Sequence, residues 1–116
     1  DLSDRRAALA AAGVEVMLLP GNDGNDGNVD LAAVLAELGR RGINEVHVEA
    51  GAVLNGALLA AGLVDEWLAY LAPMTMGDAA RGLFGLPELT DMAGCRRFRL
   101  HALAQVGADL RLLLRP

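Results

Sequence analysis

The hydrophobic positions change period along the chain. Leu31, Val34, Leu35 and Leu38 recur at i, i+3, i+4 and i+7, which predicts a helix with one buried stripe, capped by Asp30 and ended by Gly42. A first helix is expected over Asp4 to Ala12, with Ser3 as its cap and Gly13 as its stop. A third runs from about Val53 to Ala61, with Leu54, Leu58 and Ala61 on one stripe and Gly62 closing it. Between these lie strand-like runs. Val14 to Leu19 is nearly all apolar, as a sheet covered on both faces requires, and Glu45 to Glu49 alternates with Val46 and Val48 on one side. Glu66 to Ala72, Arg97 to Val106 and Leu110 to Leu114 read as later strands, the last two joined by a turn at Gly107 to Asp109. The order predicts an α/β fold: a mostly parallel sheet flanked by helices, finished by a C-terminal antiparallel hairpin. The apolar edge of that hairpin would need covering.

Two stretches resist assignment to an element. Gly21 to Asn28 is a run of Gly, Asn and Asp and is expected to be a surface loop; its spacing fails the calcium-loop pattern, since neither the closing Glu nor the obligatory Gly falls in register. From Pro73 through Pro87 the chain is punctuated by Gly and Pro over a length that usually marks a functional or disordered loop. No internal repeat or linker divides residues 1–116, which are read as a single domain.

Composition narrows the chemistry. A net charge of -5 opposes a general nucleic-acid surface, which would have to neutralise many phosphates. All ten cations are Arg, so lysine Schiff-base chemistry and a P-loop lysine are excluded; Arg96, Arg97 and Arg99 are expected on a solvated strand edge. No apolar run reaches membrane-spanning length, and the polar start Asp1 to Arg6 has no signal-peptide character, so a cytoplasmic protein without membrane contact is expected. Cys95 is a single cysteine without a partner, and no Cys or His pair has zinc-ligand spacing, so no metal site is expected. His47 and His101 show no nucleophile or carboxylate at an interpretable spacing and are expected to be packing or surface residues.

The informative stretch is Val48-Glu49-Ala50-Gly51-Ala52-Val53-Leu54-Asn55-Gly56-Ala57. A strand ends in an acid, a glycine permits close approach, and a helix then begins with free N–H groups, which suits a phosphate without any basic side chain. The full G-x-G-x-x-G of the dinucleotide fold is absent. Glu49, at the carboxyl end of a central strand, stands where open α/β sheets place ligands, although capping its own turn or pairing with an Arg would equally explain it.

Gly42-Ile43-Asn44-Glu45, the Val48 to Ala57 stretch, Ala60-Ala61-Gly62-Leu63-Val64-Asp65-Glu66, Tyr70-Leu71-Ala72-Pro73 and Gly77-Asp78-Ala79-Ala80-Arg81-Gly82-Leu83, taken in this order, closely resemble the reductase domain of the bacterial bifunctional riboflavin-biosynthesis deaminase/reductase. The resemblance spans essentially the whole chain. It implies a dihydrofolate reductase-like fold, here as the C-terminal portion of the domain, with the domain's N-terminal part and the zinc-dependent deaminase domain absent. It further implies NADPH-dependent reduction of 5-amino-6-(5-phosphoribosylamino)uracil to its ribityl form, in a homodimer. By position, Glu49 would contact substrate, and Gly51, Ala52, Val53, Leu54, Asn55, Gly56 and Ala57 would form the NADPH segment, with no catalytic residue designated. Two departures stand out: Ala52-Val53 replaces the family's usual Pro-Thr, removing a hydroxyl, and Met74 replaces a lysine often found after the Ala-Pro pair. Alternatives are a non-catalytic nucleotide-binding or assembly module of this fold, or a related pyrimidine or pterin reductase.

Overall fold

The computed structural model describes residues 1–19 and 28–116, so the Gly- and Asn-rich loop expected from Gly21 lies outside the described residues up to residue 27. The chain divides into two units, Asp1–Val46 and His47–Pro116. The first holds α1 (Leu2–Ala11) and α2 (Leu31–Arg40). Helix α1 begins earlier than Ser3 suggested, because the Asp1 carboxylate accepts the Ser3 amide at 3.2 Å and takes over as cap. Asp30 caps α2 as expected, accepting the amides of Ala32 at 2.9 Å and Ala33 at 3.1 Å. Leu31, Val34, Leu35 and Leu38 are all half-buried. At its far end Glu37 accepts from Arg40 (2.7 Å) and from Arg41 (2.7 Å), and Arg41 also reaches Glu15 at 2.5 Å, which ties the end of α2 to the segment after α1.

The second unit contains α3 (Ala52–Ala60), β1 (Trp67–Leu71), a short 3₁₀ turn at Met92–Gly94, β2 (Arg99–Val106) and β3 (Asp109–Arg115). The sheet order is β1-β3-β2 and both pairings are antiparallel. Val106 pairs with Asp109, leaving Gly107 and Ala108 as a two-residue connection; Gly107 takes φ +62°, the sign such tight hairpins demand. Trp67, Leu114 and Leu100 lie opposite one another across the three strands and so share a face. On that face the Trp67 ring meets Phe84 edge-on at 5.0 Å and Phe98 at 5.5 Å. The Arg115 guanidinium pairs with Glu66 beside the start of β1.

Helices α1, α2 and α3 stop by one device. The residue after the glycine donates five residues back, Val14 to Leu9, Ile43 to Leu38 and Leu63 to Leu58, at 2.9 to 3.1 Å, while Gly13, Gly42 and Gly62 take φ of +77°, +83° and +70°. This is the Schellman arrangement, and it satisfies carbonyls that a helix end would otherwise strand.

Two expectations need correction. The parallel pairing is not present among the described residues: residues 14–19 and 45–49 belong to no strand there, and the sheet is antiparallel throughout. An apolar run favours an extended chain locally, but a ladder also needs a partner strand. The stripe expected on α3 is turned as well, since Gly56, Leu58 and Leu59 are buried whereas Leu54 is 40% exposed.

The Arg40 and Arg41 hydrogen bonds hold the Glu37 carboxyl down at about 2 from an ordinary 4.5. A depressed carboxylate stabilises the fold fully above its unfolded pKa and loses that contribution as pH falls from there through the folded value. Glu37→Gln should therefore lose less melting temperature than the parent between about pH 6 and about pH 3. Equal losses in thermal melts would show that the network does not stabilise the unit. Leu59, 6% exposed, is the best-buried side chain among the described residues, and Leu59→Ala should cost about 2 to 4 kcal/mol in denaturant unfolding.

Candidate functional site

Gly51 is the cap residue of α3, extended at φ -80° and ψ 175°, and has no side chain to satisfy the amides that follow. The first backbone bond into the helix is Asn55 N–H to Gly51 carbonyl at 3.1 Å, so the Ala52, Val53 and Leu54 amides precede the intrahelical ladder. Their positive helix end is open, because Val53 is 83% exposed and residues 49–57 contain no basic side chain. This donor set fits a phosphate: three neighbouring N–H groups, no competing cap and an accessible turn.

Asn55 reaches back to the same turn. Its side-chain amide donates to the Ala50 carbonyl at 3.0 Å, which ties the turn before the helix to the helix itself. The role expected of Asn55 at the cofactor is thus supplemented by a structural one. Gly56 is likewise explained by packing. A Cβ there would stand 2.8 Å from the carbonyl carbon of Gly85 and 2.9 Å from its nitrogen, so backbone of the 77–87 loop fills the space. Ala57 is exposed on the same helix.

Glu49 is well exposed and neither caps its turn nor meets an Arg; the partner it has is His47, whose Nε2 lies 3.4 Å from Oε1. This overturns the reading of His47 as lacking a carboxylate. The i, i+2 spacing was the available signal, because alternate residues of an extended chain share a side. His101 lies on β2 at the point where the register with β3 shifts. Of the arginine cluster, Arg96 donates to the Ala60 carbonyl at the C-terminus of α3 (2.7 Å) and Arg99 to the Pro116 carbonyl (3.3 Å), so both serve the fold.

A cleft of about 420 Å³ lies at the other end of α3, lined by Leu59, Val64, Cys95, Arg96, Arg97 and Phe98 among others. It includes none of residues 49–57. With Glu49 and Val53 both largely exposed, the candidate site is an open surface. Among the described residues no cluster of His, Cys, Asp and Glu is arranged to hold a metal ion, and no helix is long and apolar enough to cross a membrane.

The turn into α3 thus sets three amides without a side-chain cap two residues after an exposed acid. The chain belongs to the family described as the RibD C-terminal domain, whose profile matches residues 3–112. It is 48% identical over 86 residues to the riboflavin biosynthesis protein RibD of Haemophilus influenzae, an alignment covering 74% of this chain and 23% of that protein. It is 35% identical over 88 residues to the 5-amino-6-(5-phosphoribosylamino)uracil reductase of Buchnera aphidicola, covering 76% of this chain and 42% of the relative. The solved structure of Acinetobacter baumannii RibD superposes with a TM-score of 0.81 at 34% identity, over 96% of this chain and 29% of that one. The fold class is thereby the dihydrofolate reductase-like α/β class of these proteins. The chain spans about a quarter of the length of the full RibD relatives it matches.

Removing the Asn55 amide tests the turn directly. Asn55→Ala should lower unfolding stability by about 1 kcal/mol. It should also move the Ala52 and Val53 amide resonances in NMR spectra, and unchanged shifts would show that the Ala50 bond does not order them.

Proposed function

We propose that this chain is the C-terminal portion of a reductase domain that works, within a larger enzyme, in the NADPH-dependent reduction of 5-amino-6-(5-phosphoribosylamino)uracil to the ribityl form during riboflavin synthesis. The observation that carries this reading is the bare amide turn at Ala52, Val53 and Leu54 immediately after Glu49, in a chain whose family and relatives are reductases of this pathway. The cofactor would supply the hydride. In this reading Gly51 to Ala57 hold its phosphorylated end through backbone donors, and Glu49 faces the sugar of the substrate. His47 beside Glu49 helps to orient that carboxylate.

The exposure of the site supports a shared wall. Glu49 and Val53 are largely open, so the reading includes further polypeptide across the turn that excludes water and aligns the nicotinamide with the sugar carbon. Pairing into a homodimer belongs to the same proposal and would cover apolar sheet residues such as Leu100 and Leu103, which are 54% and 57% exposed. The family match and the riboflavin-pathway names of the relatives favour this over a non-catalytic nucleotide-binding module or a pterin reductase.

Titration with NADPH, followed by amide shifts in NMR spectra, should move the Ala52, Val53 and Leu54 resonances, whereas binding that leaves them still would sink the assignment. Val53→Thr, which restores a hydroxyl at the exposed second position, should tighten NADPH binding by roughly two- to tenfold, the effect of one neutral hydrogen bond. The 116-residue chain by itself should show no substrate-dependent NADPH oxidation, which a spectrophotometric assay reads directly.

A further inference from the structure

The loop after Pro73 is the longest irregular part of the second unit, and Gly85 within it meets the first turn of α3. Phe84 packs edge-on against Trp67 of β1, with ring centroids 5.0 Å apart at 80°. The next residue, Gly85, donates its amide to the Ala52 carbonyl at 2.7 Å. Gly56 lets the two backbones come this close, and a Cβ on Gly85 would in turn sit 3.3 Å from the Ala52 oxygen. A strand, an aromatic pair, a loop residue and the first peptide of α3 thus form one connected path.

That first peptide is the important one. The Ala52 carbonyl and the Val53 N–H belong to the same planar unit, so a donor that fixes the carbonyl also fixes the direction of the N–H. A hydrogen bond at the oxygen also polarises the unit and makes its N–H a stronger donor. Loop, carbonyl and outward amide act in series.

We infer that Gly85 is a positioning residue for the reductase site: its hydrogen bond to Ala52, made possible by Gly56 and braced by the Phe84–Trp67 pair, aims and strengthens the Val53 amide toward the anionic end of the cofactor. This rests on the cofactor-binding reading of the α3 turn. It extends that reading to a loop that contacts the helix on the side away from the cofactor, and it assigns Gly56 to the brace.

The test compares Gly85→Ala, Gly56→Ala and the control Gly82→Ala, whose added Cβ would meet nothing closer than 3.8 Å. Three measurements are made on each: the Val53 amide shift without ligand, the NADPH dissociation constant by fluorescence titration, and the melting temperature. In both Gly85→Ala and Gly56→Ala, the Val53 resonance should move and NADPH affinity should fall by roughly tenfold or more, the scale of one misaligned bond to a charged group. Gly82→Ala should match the parent in all three. Gly85→Ala should melt close to the parent, which separates positioning from general destabilisation. Should Gly56→Ala fail to fold, Phe84→Leu takes its place, because it loosens the brace without inserting an atom between backbones. Parental affinity in a folded Gly85→Ala whose Val53 amide has moved would overturn the inference while leaving the cofactor site intact. A parent chain whose 52–54 amides ignore NADPH would overturn the site, and the role of Gly85 with it.

Discussion

Two backbones in contact, Gly56 of α3 and Gly85 of the following loop, set the geometry on which the rest of the second unit depends. The approach is too close for any side chain on the helix, and it decides which way α3 is turned. With that side fixed, Leu58 and Leu59 enter the core and Val53 is left outside. A helix that is apolar nearly all round has no strong preference of its own about which side to bury, so the choice falls to the tightest contact available. The exposure of the candidate cofactor turn is thus a consequence of packing elsewhere on the same helix.

What could be read from the sequence was local. Helix ends were legible because each is written as a glycine followed by an apolar residue, Gly13-Val14, Gly42-Ile43 and Gly62-Leu63, and that chemistry needs only neighbours in the chain. The hairpin at Gly107 was legible for the same reason, and the observed strands fall within two residues of those expected. The apolar runs at residues 14–19 and 45–49 carry no information about a partner strand, so the parallel sheet inferred from the order of elements has no counterpart among the described residues. Met92–Gly94 escaped notice because a single turn capped by Asp91 has no periodicity to detect.

The candidate site shows the same division. Its amides follow from a glycine at the start of a helix, which needs no side chain to be recognised. The role of Gly56 did not follow, because its explanation lies 29 residues further on, at Gly85, and a close approach between distant backbones leaves only a glycine as its trace. The neighbour of Glu49 was nearer to hand: His47 is two positions away, and in an extended chain alternate residues share a side. Arg96 and Arg99 looked like a solvated cluster, yet each closes a backbone carbonyl from another segment.

The register of β2 against β3 shifts between Leu100 and Ala102, so His101 stands outside the regular pairing. Such an irregularity bends its strand and increases the local twist. With β3 in the middle, the two flanks of the sheet are therefore unequal. β1 pairs with β3 in unbroken register over the five residues Trp67–Leu71, whereas the β2 pairing is interrupted by the irregularity. A partner strand would therefore have to follow that kink to pair along β2.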